Sequence, residues 1–348
     1  MKEKNQLLFI GNYFSNTAIS YEILNYLRHK GWVVKYTSTK KNRVLRLIDM
    51  LFTIVIENKN FQVAHVDVFS GFAFFWALCC VYLLKLFSKA IILTLHGGNL
   101  PEFSRKYPFL IRVLFKNANV ITVPSRYLLF SMKEYYPDLF LIPNPINIKK
   151  FEFLQRRRIE PNLIWLRAFH EIYNPTLAPK LVAILKKRYP DIKLLMIGAD
   201  KADGSLQNTK KLSEDLSLTK HIDFIGMISR EDVPNWLNKG DILINTTNID
   251  NTPISILEAM AVGLCIISTN VGGIPHLLEN EKDALLVPPD NPEDMANAIH
   301  RVLSDSELAK NLSINARKKV EKFDWEEIYP LWEKLLRNIN DSKPNHYK

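Results

Sequence analysis

The residues best suited to chemistry gather between Asp250 and Pro275, in the run DNTPISILEAMAVGLCIISTNVGGIP. Glu258 is the only acidic or basic side chain between Asp250 and Glu279, His276 aside. Ile254, Ile256, Leu257, Met260 and Val262 surround it, so the pattern places it in an apolar, at least partly buried setting. A carboxylate there needs hydrogen-bond donors to offset its lost hydration, and no Lys or Arg stands near it in sequence. Thr252 and Pro253 read as the N-cap and first position of a short helix, with Gly263 at its end. Residues 264–269 read as a buried strand, and Val271-Gly272-Gly273-Ile274-Pro275 as a glycine turn opening another helix. A helix N-terminus and a glycine turn both offer backbone N–H groups to an anion. A lone carboxylate beside such a site suits a sugar diol attached to a phosphate.

The elements that must position these residues follow a repeating order. Residues 7–10 read as a buried strand, followed by the loop Gly11-Asn12-Tyr13-Phe14-Ser15-Asn16-Thr17. Residues 18–30 carry apolar side chains at helical spacing (Ile19, Ile23, Leu24, Leu27), Gly31 stops them, and 33–36 is the next strand. Strand, loop, helix, strand begins a doubly wound sheet, whose ligands bind outside the carboxyl ends of strands. That points at Gly11, which serves equally well as a plain turn residue; a full Gly-x-Gly-x-x-Gly pattern is missing. Residues 63–68, 90–95 and 120–125 continue the first sheet, the last running into a helix. The charge-rich stretch 149–160, with Arg156-Arg157-Arg158, reads as a linker with solvated arginines. A second sheet starts at 162–166 and continues through 193–198, 222–226 and 241–245.

At 348 residues the chain has the length of two domains. Its 47% hydrophobic and 24% charged content is that of a globular protein with real cores. A net charge of +10 favours an anionic partner. Three cysteines make no disulfide framework and no metal-ligand spacing, which points to a reducing cytoplasm. The N-terminal apolar stretch is too short for a signal peptide. Lys40, Lys41, Arg43 and Arg46 precede an apolar segment in which Arg43, Arg46 and Met50 share one helical face and Leu47, Leu51 and Ile54 another. Such a basic amphipathic helix suits an anionic membrane surface, or simply water. Residues 69–84 carry no charge. They are short for a span and lie between two strands, so a buried or interfacial crossover helix is expected.

The stretch from Asp250 onward closely resembles the donor-binding core of retaining glycosyltransferases of family 4. That signature is an acid, seven residues, a Glu followed by Ala-Met-Ala, and a strand running into Val-Gly-Gly-Ile-Pro. Here it reads Asp250, Glu258-Ala259-Met260-Ala261, Val271-Gly272-Gly273-Ile274-Pro275, then Leu286-Val287-Pro288-Pro289. Asp250 is one methylene shorter than the usual Glu. The plain alternative is a solvated acid on an ordinary Rossmann helix. The resemblance implies an α/β protein of the GT-B fold, two Rossmann-like domains facing a cleft. They would comprise 1–155, with a terminal helix from about 325 packing back on it, and 156–324.

The resemblance also implies roles. His96, in the strand-end run His96-Gly97-Gly98, would contact the donor sugar, and the Gly11 loop would face the cleft. Arg167 would neutralise a diphosphate. Ile172 stands where the family carries a Lys, which leaves His170 as the candidate second cation. Gly198 and the segment 224–228 would flank the nucleotide. Asp250 and the backbone of Thr252, Pro253 and Ile254 would hold the sugar, Glu258 the ribose, and Gly272 and Gly273 the phosphates. The implied partners are a nucleotide diphosphate sugar and a glycan or lipid-linked acceptor, with no cofactor, no metal and no nucleic acid. A peripheral position on the inner face of a membrane fits the basic segment. A nucleotide-sugar epimerase of the same fold and a non-catalytic partner subunit are the rivals.

Overall fold

The structure, a computed structural model, describes residues 6–13, 19–156 and 158–339. Phe14–Thr17 of the first loop, the expected helix start at Ala18, Arg157 and everything beyond Ile339 lie outside the described residues. The chain divides into two compact units, Met1–Pro145 with Glu326–Lys348, and Ile146–Trp325.

The first unit is a six-stranded parallel sheet of β1 (Gln6–Ile10), β2 (Val33–Thr37), β3 (Val63–Val68), β4 (Ala90–Leu95), β5 (Val120–Val123) and β6 (Leu139–Leu141). Its order is β2-β1-β3-β4-β5-β6. Between strands run α1 (Ile19–His29), α2 (Arg43–Glu57), α3 (Phe72–Leu86), α4 (Leu100–Lys106), α5 (Pro108–Lys116) and α6 (Arg126–Met132). Helices cover both faces of such a sheet, so its strands are near-continuous apolar runs. All six residues of β3 are buried, including His65 and Asp67. The winding reverses between β1 and β3, the place where open α/β sheets collect ligands.

One helix of this unit differs from expectation and another meets it. On α2 the buried face carries Arg46, Met50 and Ile54, while Val44, Leu45, Ile48, Phe52, Val55 and Ile56 are exposed. The inward face is therefore rotated from the expected one: Arg46 and Met50 join Ile54 inside, while Arg43 stays exposed. Arg46 tolerates burial because its Nε and Nη2 donate to the carbonyls of Lys40 and Lys41 and its Nη1 to Asn12 Oδ1. Its guanidinium also lies 5.1 Å over the Trp76 ring. Helix α3 is the crossover helix expected over the uncharged stretch. It buries Phe74, Ala77, Cys80, Val81 and Leu84, and exposes Phe72, Phe75, Cys79, Tyr82 and Leu86 along one stripe. No helix among the described residues is long and apolar enough to cross a membrane.

The second unit holds β7 (Asn162–Leu166), β8 (Lys193–Ile197), β9 (Ile222–Gly226), β10 (Ile242–Asn245), β11 (Cys265–Thr269) and β12 (Leu285–Val287). Its helices are α7 (Leu177–Leu185), α8 (Ser205–Asp215), α9 (Val233–Leu237), α10 (Ile254–Val262), α11 (Ile274–Leu277), α12 (Pro292–Ser304) and α13 (Ser306–Val320). The order β12-β11-β10-β7-β8-β9 reverses between β7 and β10. Trp165, Phe169, Leu181 and Ile299 belong to one core of this unit, and Ile164, Leu243, Ile256 and Met260 to another.

The stretch read as a linker is built into this unit. Phe151 is buried, and Arg156 donates to the carbonyls of Leu154, Val262 and Gly240 and stands 3.6 Å from Asp241. Those acceptors explain why one arginine of the triplet is a buried anchor while the Arg158 side chain is 87% exposed. The unit closes with its ends together: Ile146 pairs with Asp324, whose carboxylate accepts the Ile148 N–H at 2.9 Å. From there α14 (Trp325–Ile339) returns to the first unit, where the Tyr329 ring is 5.6 Å from Tyr26 and Trp332 is 5.6 Å from His65.

Candidate active site

The reversal of the second sheet places the carboxyl ends of β7 and β10 side by side. Arg167 directly follows β7, and Asp250 lies five residues beyond the end of β10. Arg167 Nη2 forms an ion pair with Asp250 Oδ2, the two side chains being 15% and 12% exposed. The resemblance implies separate duties for these residues, one on a diphosphate and one on a sugar; here they hold each other. The guanidinium also lies 4.1 Å over the Tyr173 ring. Burial holds the Arg167 pKa below its ordinary value, with Tyr173 and Glu258 pulling the other way. The Nε of Arg167 is buried with no hydrogen-bond partner among the described residues.

The loop between Arg167 and Tyr173 is tied to the exit of β10. Thr246 Oγ1 donates to the Tyr173 carbonyl at 2.7 Å and receives the Trp165 indole N–H at 2.9 Å. The Asn248 N–H donates to the Ile172 carbonyl at 2.8 Å. These threonines and asparagines fall in an otherwise apolar run, and polar residues just after a buried strand are the signal that marks them.

His170 is placed differently from the second-cation reading. Its Nδ1 accepts the Ile172 N–H at 3.2 Å, capping the short turn Glu171–Tyr173. A nitrogen that accepts carries no proton, so the imidazolium would have to give up this cap. The neighbouring carboxylate, 3.8 Å away, is Asp203. A further cation does stand in the site: Arg230 Nη2 is 3.9 Å from Glu258 Oε1. It follows the 224–228 segment by two positions, and the sequence reading passed over it.

Glu258 lies on α10 and is 7% exposed, in agreement with its apolar flanks. The helix begins at Ile254, one residue later than expected; Pro253 takes the cap position with an extended ψ of 121°, and Thr252 precedes it. Gly263 ends the helix at φ 83°. The first N–H groups of α10 have no partner inside the helix.

Gly272 and Gly273 are required by close approach. A Cβ on Gly272 would meet the Asp250 carbonyl oxygen at 2.3 Å, and one on Gly273 the Asn251 oxygen at 1.8 Å. The N–H groups of Gly273 and Ile274 donate to the carbonyls of Asp250 and Val271, so these two amides are spent within the turn rather than offered to an anion. Gly198 acts alike: its Cβ would meet the Arg167 carbonyl oxygen at 1.7 Å, and its N–H donates to Gly226.

In the first unit, Gly11 and His96 meet a residue that sequence reading passed over. A Cβ on Gly11 would lie 2.2 Å from Asp67 Oδ2. His96 Nε2 is 2.9 Å from Asp67 Oδ1, which also accepts the Ser20 hydroxyl at 3.0 Å. The His96 ring stacks on Phe69 at 4.9 Å. Asp67 lines a small pocket with Gly11, Asn12, Phe69 and Trp76, at the reversal of this sheet. The signal was present: two polar residues two apart, His65 and Asp67, in a buried strand. No group of three or more metal-ligating side chains occurs among the described residues.

The sequence profile described as glycosyl transferases group 1 matches residues 149–319. A D-inositol 3-phosphate glycosyltransferase of Paenarthrobacter aurescens is 23% identical over 264 residues, 72% of this chain and 65% of that protein. The UDP-Gal:alpha-D-GlcNAc-diphosphoundecaprenol alpha-1,3-galactosyltransferase of Escherichia coli is 27% identical over 54% of this chain and 52% of its own length. The chain thus spans about half to two thirds of these curated relatives. Among solved structures, a sucrose-phosphate synthase from Thermosynechococcus elongatus superposes with a TM-score of 0.84 over 97% of this chain and 100% of that one, at 18% identity. The Anabaena protein HepE in complex with UDP gives 0.76 over 95% and 99%, at 13% identity. At such identities the likeness is one of fold, and the fold is GT-B with two Rossmann-like units.

Proposed function

Residues 149–319 make this chain a member of the glycosyl transferases group 1 family, and from that membership we propose that it moves a sugar from a nucleotide diphosphate sugar to a glycan or lipid-linked acceptor, with retention of configuration and without a metal. The observation that carries the reading is Arg167, a buried guanidinium at the sheet reversal whose Nε has no protein partner among the described residues. A diphosphate oxygen supplies that partner, and a fixed cation there stabilises the charge that grows as the diphosphate departs. Asp250, held by Arg167, turns its remaining acceptor capacity to sugar hydroxyls. Glu258 accepts the ribose hydroxyls, and Arg230 beside it adds the positive charge that Ile172 lacks. The mechanism is electrostatic, and no side chain is assigned as nucleophile. UDP bound to the structural relative HepE makes UDP-sugars the first donors to screen. A donor at 100 times its dissociation constant raises stability by roughly 2.7 kcal/mol, which a thermal-shift assay detects.

Glu258→Gln keeps volume and removes the charge. A hydrogen bond to a charged group contributes about 1.5–3 kcal/mol, so donor affinity should fall roughly 10- to 100-fold. Calorimetry with UDP checks this, and an unchanged affinity would remove Glu258 from the ribose. The rival of a silent donor-binding subunit is favoured by Ile172 and by the Arg167–Asp250 pair. It predicts binding without turnover. An epimerase predicts an altered sugar nucleotide when no acceptor is present.

In this reading the acceptor is held at a membrane. Neighbouring helices α2 and α3 each expose an apolar stripe, flanked by the exposed Lys40, Lys41, Arg43, Lys59 and Lys85. Bilayer insertion of such side chains contributes about 1.5–3 kcal/mol each when fully buried, and each nearby Lys or Arg about 1 kcal/mol on an anionic surface. Sedimentation with phosphatidylglycerol vesicles should carry the protein down. High salt should remove only the electrostatic share. Phe52→Glu with Phe75→Glu should lower partition about tenfold or more, given these magnitudes. Equal sedimentation of both proteins would place the contact elsewhere.

A further inference from the structure

We propose that Asp67 is a positioning residue for His96, fixing the imidazole with its proton on Nε2 so that the Nδ1 lone pair is the group presented to a sugar hydroxyl. This rests on the glycosyltransferase reading for its consequence, and on the first unit alone for its geometry. Asp67 Oδ1 lies 2.9 Å from His96 Nε2 and also accepts the Ser20 hydroxyl. Burial alone would push the Asp67 carboxyl up. His96, His65 and the Ser20 hydroxyl outweigh it and hold the carboxyl below its ordinary value. An ionised carboxylate only accepts, so Nε2 is the donor. Nδ1 has no hydrogen bond among the described residues, which leaves its lone pair for a ligand.

The surroundings fix both members. Phe69 stacks on the His96 ring at 4.9 Å, which sets its plane. Gly11 leaves room for Asp67 Oδ2, which a methyl group would contact at 2.2 Å. The other titratable neighbours do not compete for the proton. Burial pushes the His65 imidazole down to about 4, with Asp67 pulling the other way, so it is neutral near pH 7. Its Nε2 is engaged with Thr94 Oγ1 at 2.6 Å. Burial, reinforced by Asp67, pushes the Tyr13 phenol well above its ordinary value, so it stays protonated. A carboxylate with one hydroxyl and one imidazole donor, set at the reversal of a sheet, matches the orienting member of an acid–base pair more closely than a purely structural ion pair.

The test uses the full chain with 15N-labelled histidine, the His96 signals being assigned from His96→Gln. Long-range 1H–15N spectra at pH 7 should show a single tautomer with the proton on Nε2. A proton on Nδ1, or averaging of the two forms, overturns the proposal, and this readout needs neither activity nor a variant at Asp67. In Asp67→Ala the tautomers should average, and kcat should fall roughly tenfold or more, the size of one lost hydrogen bond to a charged group, while affinity for UDP stays within about twofold. Asp67→Asn, whose amide oxygen can still accept from Nε2, should keep the tautomer and recover part of kcat. A folded Asp67→Ala with unchanged tautomer and kcat also overturns it. If Asp67→Ala does not fold, Gly11→Ala displaces the same carboxylate and is read the same way. A wild-type protein with the expected tautomer but no transfer from any donor would instead sink the glycosyltransferase reading.

Discussion

Arg167→Ala should lower kcat/KM for sugar transfer by at least 100-fold. Removing a single preorganised group that stabilises developing charge typically costs 10²–10³ in rate. Arg167 is such a group by position, at the end of β7 with its guanidinium over Tyr173 and its Nη2 on Asp250. The substitution also strands Asp250, which is only 12% exposed. Breaking a largely buried pair costs about 3 kcal/mol, so the melting temperature should fall as well. Stability and catalysis are separated by Arg167→Lys. It keeps a charge for Asp250 but loses the planar fork and the stack on Tyr173. It should recover most of the stability and little of the rate. Calorimetry with UDP, steady-state transfer and thermal melts measure the three effects. Transfer within threefold of wild type in Arg167→Ala would show that the diphosphate is held elsewhere.

Gly273→Ala should be nearly as damaging, for a purely steric reason. Its φ is −79°, which alanine adopts freely, so no backbone penalty arises. The added methyl would stand 1.8 Å from the Asn251 oxygen and 2.7 Å from its carbonyl carbon. Those are backbone atoms with no rotamer to move. Relief requires pushing the 250–251 segment away, which breaks the Gly273 N–H bond to Asp250 and shifts Asp250 off Arg167. Overpacking of this kind costs about 3 kcal/mol, or roughly 6–12 °C in melting temperature for a unit of this size. UDP affinity should fall with it. A melting temperature within 2 °C of wild type would show that the turn can yield, and that the two glycines are not held by close approach.

The strands of both sheets were legible because parallel strands buried on two faces are short apolar runs between turn residues. Glu258 was legible as a buried acid from its neighbours alone. The Arg167–Asp250 pair was not, since the residues lie far apart in sequence and meet only because β7 and β10 are adjacent in the sheet. Local patterns carry no strand order. Helix α2 shows a different limit. Its periodicity is the same whichever way it is rotated, and charge placed Arg46 outside with Arg43. What decided it was the set of acceptors waiting for Arg46 at Lys40, Lys41 and Asn12, none of which a hydropathy pattern contains. Arg156 was misplaced for the same reason, its acceptors being the carbonyls of Val262 and Gly240. His170 looked like a free imidazole because a backbone N–H two residues on is invisible in a list of side chains.

The closure of the second unit bears on the order in which the chain can be completed during synthesis. Ile146 and Ile148 bond to the Phe323–Asp324 turn, so this unit has all its pieces once Trp325 has emerged. The first unit does not. Its sheet is complete by Leu141, yet the aromatic cover that Tyr329 and Trp332 lay on Tyr26 and His65 arrives only with α14. The part of the chain made first is therefore finished last. Until then the strand carrying Asp67 lacks the indole that covers His65, and a chain ending at Trp325 would leave it so.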